Sequence, residues 1–90
     1  MTFDQLMPCF VRRIPRELMD GVLYVSVECG VAMHKCPCGC GSEVSTPLDA
    51  EAGWVLTCDG DGVTLSPSIG NYSYECQSHY FIRNNRFIWA

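Results

Sequence analysis

One stretch constrains this chain more than any other: HKCPCGCG, His34 to Gly41, with cysteines at alternate positions and a histidine two residues ahead of the first. Any fold must find a use for thiols packed this closely. A disulfide between cysteines two apart meets restrictive geometry. The chain holds seven cysteines, an odd number that fits a disulfide framework poorly. The opening, MTFDQLMPCF, has no basic segment followed by a sustained apolar run, so no secretory signal is read there. No stretch approaches the roughly 18 apolar residues of a membrane span. The expected location is the cytoplasm, where disulfides rarely persist. Metal binding is the better reading of the thiols.

His34, Cys36, Cys38 and Cys40 share even spacing, so an extended segment would project all four from one face. Pro37 and Gly39 equally suit a turn on which the thiols converge. A tetrahedral zinc site rarely takes every ligand from one short run. CQSH, with Cys76 and His79, offers a second half. A clip closing about 40 residues is where loop-closure entropy rewards a cross-link. Structural zinc contributes about 10–16 kcal/mol of apparent binding energy in small domains. That exceeds the net stability expected of the rest of the fold. Zinc is therefore the expected cofactor, with Cys36, Cys38, Cys40 and Cys76 as its first-choice ligands and His34 and His79 as the surplus. Cys9, Cys29 and Cys58 read as inert thiols, the last two as core residues at strand ends.

Ninety residues make one domain, 1–90, whose core is marginal at this size. The composition, 48% hydrophobic and 18% charged, is that of a folded protein. LYVSVEC, Leu23 to Cys29, alternates with period two and reads as a strand. Val31 to Lys35, Ser42 to Thr46, Trp54 to Cys58 and Val63 to Ser66 are further strands, the last two a hairpin over CDGDG. HYFIRNNRFIW reads as a hairpin turning at Asn84-Asn85, because Asn tolerates the left-handed backbone of a two-residue turn. Its register places Arg83 opposite Arg86, Ile82 opposite Phe87, Phe81 opposite Ile88 and Tyr80 opposite Trp89. Residues 1–20 read as an irregular lead-in, with one helical turn at PRELMD from Pro15. The fold class is a small, mostly β domain of antiparallel hairpins stapled by one zinc site, with little or no helix.

The charge balance, six Lys+Arg against ten Asp+Glu for a net −4, disfavours nucleic acid as a partner. Arg12, Arg13 and Arg16 read as a solvated face. In LSPSIGN, Ser66 to Asn71, Ser66-Pro67-Ser68 is expected to break a strand. If zinc brings Cys76–His79 against the 36–40 cluster, Ser68 can meet His79 or His34. A serine hydroxyl becomes a nucleophile when a base takes its proton, and histidine titrates near neutrality. His79 is the better base if cysteines fill the metal site, and His34 if His79 is a ligand. Backbone N–H groups around Pro67 to Gly70 are candidates for an oxyanion hole. In a third scheme zinc itself is catalytic, with Glu75 or Glu43 as base. DGDG carries Asp59 and Asp61 but reads as a turn rather than a calcium loop.

HKCPCGCG, VTLSPSIGN and CQSHYFIRNNRFIW, in that order over roughly residues 31–90, resemble a bacterial domain family long labelled only as of unknown function. Its members occur beside E1-like, E2-like and ubiquitin-like genes in Bub conjugation operons and in phage contexts. The resemblance implies a deubiquitinase-like peptidase that matures a ubiquitin-like precursor or removes it from its conjugates. The matching motif residues are Cys36, Cys38, Cys40, Ser68, Cys76, Ser78 and His79, with no division into metal and catalytic roles. Where the family pattern leads one to expect Gly in the last turn, this chain has Asn85. The alternative from another class is a non-catalytic zinc-binding β module, docking on a protein partner through aromatics such as Trp54 or Tyr72.

Overall fold

The computed structural model describes residues 4–60, 62–71 and 76–90. It is all β, built as two four-stranded sheets. The first runs β1 (Met7–Phe10), β2 (Val22–Ser26), β3 (Val31–Lys35) and β4 (Glu43–Pro47), in that spatial order. The second runs β5 (Val55–Asp59), β6 (Gly62–Gly70), β7 (His79–Arg83) and β8 (Arg86–Trp89). Every pair is antiparallel except β1 and β2. No described helix is long and apolar enough to cross a membrane.

Alternation decides which side chains meet. Leu23, Val25, Ala32 and Val44 come from the first sheet, and Val63, Leu65, Ile69, Tyr80, Ile82 and Phe87 from the second. They form one buried apolar cluster between the layers. Two buried hydroxyls of the first sheet find carbonyl partners. Thr46 Oγ1 donates to the Ala32 carbonyl at 2.8 Å, and Ser26 Oγ to the Arg12 carbonyl at 2.7 Å.

The last hairpin has the register read from its sequence. Asn84 and Asn85 have φ of 51° and 63°, the left-handed values that a primed turn requires. Asn85 also explains why Gly is not needed there. Its Oδ1 accepts the Val63 N–H at 2.8 Å, and its backbone N–H donates to the Val63 carbonyl at 3.0 Å. The turn is thereby fixed to the start of β6, and glycine would lack the first of these two bonds.

Several expectations are corrected. The strand at Leu23 ends at Ser26, and 27–30 form a turn, so Val27 is 74% exposed. Cys29 and Cys58 are exposed rather than core, the first in that turn and the second near the end of the edge strand β5. PRELMD makes no helical turn. The lead-in is not irregular throughout. Met7–Phe10 pairs parallel with β2, while the Leu6 N–H bonds Asn85 O and the Phe87 N–H bonds Asp4 O along β8. Ser66-Pro67-Ser68 does not end β6 but bulges it. Trp54 is half-buried against the core, and Tyr72 and Asp61 lie outside the described residues.

Asn85→Gly removes one hydrogen bond and keeps a residue at ease in the left-handed region, a cost of about 1 kcal/mol. Asn85→Ala loses the same bond and puts a residue without asparagine's tolerance into the left-handed region, a further cost of roughly 1 kcal/mol. Urea unfolding should rank wild type above Gly above Ala.

Candidate active site and thiol cluster

Two groups of functional side chains lie at the β6–β7 end of the second sheet. The first is a serine–histidine pair. Between the aligned pairs Leu65↔Ile82 and Ile69↔Tyr80, β6 has three residues, Ser66 to Ser68, where β7 has only Phe81. The surplus bulges β6. Gly70 lies opposite His79. His79 and Phe81 alternate with the buried Tyr80 and Ile82 and so stand on the outer face. There the Ser68 Oγ and His79 Nε2 are 2.8 Å apart, hydrogen-bonded, and both half-buried. The His79 ring leans on Phe81, centroids 6.2 Å apart, and the Arg83 guanidinium lies over Phe81 from the far side along the strand.

The second group is a cluster of thiols. β3 ends at Lys35, and Cys36 begins a turn closed by the Cys36 N–H to Ser42 O and the Gly39 N–H to Cys36 O. Gly39 and Gly41 have φ of 90° and 85°, values open to glycine at little cost. The turn brings Cys36, Cys38 and Cys40 together, and Cys76 arrives from the β6–β7 connection. All four sulfurs lie within 4.8 Å of one another, an arrangement able to hold a metal ion. The Cys36 sulfur is 3.4 Å from that of Cys38 and 3.8 Å from that of Cys76, far beyond disulfide length.

Neighbouring groups tune the sulfurs. The Ser78 Oγ lies 3.0 Å from Cys76 Sγ and 3.1 Å from Cys36 Sγ. Asn71 Nδ2 approaches Cys36 Sγ at 3.7 Å. Burial pushes the Cys36 thiol up to about 12. Hydrogen bonding from Ser42 lowers Cys40 to about 6, and from Ser78 lowers Cys76. A thiol as buried as Cys36 ionises only against a compensating positive charge, which a bound cation supplies.

His34 belongs to neither group. It sits on the core side of β3, 1% exposed, with Nε2 2.6 Å from the Tyr80 hydroxyl and Nδ1 without a hydrogen-bond partner. Burial lowers it to about 4, so it is neutral at pH 7. It reaches neither Ser68 nor the sulfurs. Tyr80, raised by its burial, also accepts from Asn71 Nδ2 at 3.4 Å. Of the other two base candidates, Glu43 stands exposed on β4 opposite Lys35, and Glu75 lies outside the described residues. Sequence reasoning missed Asn71 and Tyr80 as polar links between the sulfurs and His34. Their signal was a tyrosine on an otherwise apolar strand face, with a buried asparagine to meet it.

A protein-family model described as a bacterial ubiquitination-like system serine protease (BubE) matches residues 10–90. The match takes in the whole of the cluster, the serine–histidine pair and all strands from β2 onward. No curated protein and no solved structure matches the chain.

His34 supplies a pH dependence. Its proton affinity in the folded state lies below the ordinary value of 6.5, so the unfolded chain binds more protons between pH 6.5 and about 4. Its contribution is fully present above pH 6.5 and is lost as pH falls through that window, to a total of about 3 kcal/mol. His34→Gln keeps a partner for Tyr80 but cannot titrate. Urea unfolding at pH 7 and pH 4.5 should show a smaller acid loss in His34→Gln than in wild type, both chains carrying the same cysteines.

Proposed function

The chain belongs to the family of bacterial ubiquitination-like system serine proteases (BubE), and we propose that Ser68 is its nucleophile and His79 its general base, acting on a ubiquitin-like protein or its conjugates. The observation that carries this reading is the 2.8 Å hydrogen bond between Ser68 Oγ and His79 Nε2. It is the geometry in which a base withdraws a hydroxyl proton as the oxygen attacks. Ser68 Oγ bonds to the scissile carbonyl carbon while its proton passes to Nε2. The tetrahedral intermediate collapses, the C–N bond breaks, and His79 returns the proton to the departing amine. Water, deprotonated by the same nitrogen, then attacks the acyl carbon, and the proton passes from Nε2 to Ser68 Oγ as the C–O bond to the serine breaks. Backbone N–H groups beside Ser68 are the candidates to hold the oxyanion. The same chemistry cleaves a tail from a precursor or an isopeptide from a conjugate.

In this reading the four cysteines hold zinc. A tetrahedral zinc with bonds of about 2.3 Å sets its sulfurs about 3.8 Å apart, and the observed 3.4 and 3.8 Å are close to that. Four thiolates leave zinc no open position, so it serves as a structural clip. Its place next to Ser78 and His79 fixes the start of β7 and hence the angle at which the imidazole meets Ser68. Ser78 and Asn71 support the thiolates as outer hydrogen-bond donors.

Ser68→Ala and His79→Gln should each lower kcat/KM for a ubiquitin-like precursor by on the order of 10⁴-fold, with metal content and melting temperature unchanged. Full turnover by a folded Ser68→Ala protein removes the serine mechanism. A non-catalytic zinc module would show no turnover at all, with tight association instead.

A structural zinc makes a second prediction. Adding a strong chelator should lower the melting temperature and the activity together. Activity lost while circular dichroism and melting stay unchanged would favour a catalytic metal.

A further inference from the structure

The strand that carries Ser68 outruns its neighbour. β6 extends from Gly62 to Gly70, whereas β5 pairs with it only from Asp59↔Gly62 to Val55↔Ser66. The chain before Val55 turns away to the other sheet, where the Trp54 N–H bonds Pro47 O. On the side of β6 away from β7, no strand or bridge among the described residues covers Pro67 to Gly70. Pro67 and Gly70 are exposed.

The backbone of this segment has a defined orientation. Consecutive residues of an antiparallel strand send their N–H and C=O groups to opposite sides. The Asn71 N–H donates to Ser78 O, on the β7 side. The N–H and C=O of Gly70 therefore face the open lane, two residues from the nucleophile.

We propose that this lane receives the substrate as an added strand, antiparallel to β6 and in line with β5. The inference rests on the serine-peptidase reading above. A strand in that lane and sense ends where β5 begins. Residues on the N-terminal side of the scissile bond therefore pair with Gly70, and the bond itself arrives at Ser68. Beyond that point the lane is already filled by Val55, so whatever follows the scissile bond turns out of the sheet. The occupant is an extended, unstructured peptide gripped by its main chain, as in strand addition to a sheet edge. A flexible C-terminal tail of a ubiquitin-like protein has that chemistry, with its folded body held beyond Gly70.

The test uses the wild-type protein and short fluorogenic peptides that it cleaves, each with one backbone amide N-methylated. Methylation removes a donor and adds bulk in the plane of pairing. On the N-terminal side of the scissile bond, methylation of the amide that pairs with Gly70 should lower kcat/KM by about tenfold or more, the loss of one well-formed hydrogen bond. The amides on either side of it, and those on the C-terminal side, should tolerate it. A scan with no such sensitive amide, or with losses only on the C-terminal side, overturns strand addition. Ser68→Ala run on the unmethylated peptides separates the two claims. Cleavage that survives the substitution, or a wild-type protein that cleaves no peptide, sinks the serine reading and the lane with it. An inactive Ser68→Ala beside a flat scan sinks the lane alone.

Discussion

The contact of Cys36 with the Cys76–Ser78 segment joins the two sheets at the end where Ser68 and His79 meet. Cys36 ends the β3 side of the first sheet, and Cys76 and Ser78 lead into β7 of the second. The two segments are 40 residues apart in the chain. Apolar burial alone can hold two layers face to face, but it is non-directional and tolerates sliding. Sulfur and hydroxyl contacts at about 3–4 Å do not. The start of β7 is thereby set against the turn after β3, and His79 is the next residue along. From that anchor the polar chain Ser78, Cys36, Asn71, Tyr80, His34 runs inward through the core.

Local signals made much of this legible. The Asn84-Asn85 hairpin has the register its sequence gives, because a two-residue turn fixes strand alignment once both residues accept a left-handed backbone. β3 spans the five residues read as a strand. The convergence of Cys36, Cys38 and Cys40 with Cys76 follows from Pro and Gly between the thiols and from a second cysteine forty residues on. The proximity of Ser68 to a histidine was readable only as a choice between two. The choice is decided in space by period two: His79 alternates outward, beside the bulge, and His34 alternates inward, beneath Tyr80.

What could not be read has two physical sources. Parallel pairing of β1 with β2 is a non-local event with no turn between the strands to announce it. The same is true of Asp4 to Leu6 lying along β8. The second source is the bulge. Ser66-Pro67-Ser68 looks like a strand terminator by composition, yet β6 resumes at Ile69 because Ile69 and Tyr80 still have a core to fill. Cys58, on the face of its partner Val63, is left exposed near the end of the edge strand β5. Cys29 failed as a core residue for a related reason. Alternation assigns a face only while the strand lasts, and β2 ends three residues before Cys29.

The N-terminal segment has one more consequence. By bonding β8 with Asp4 to Leu6 and then β2 with Met7 to Phe10, it occupies one outer edge of each sheet. Exposed edges are where β proteins recruit copies of themselves. The uncovered part of β6 is short, and Pro67, which has no N–H to offer, interrupts it. That stretch has room for one short peptide but offers a second copy of the protein no long run of consecutive donors. The same proline that shapes the bulge at Ser68 would keep this part of β6 from serving as an edge for polymerisation.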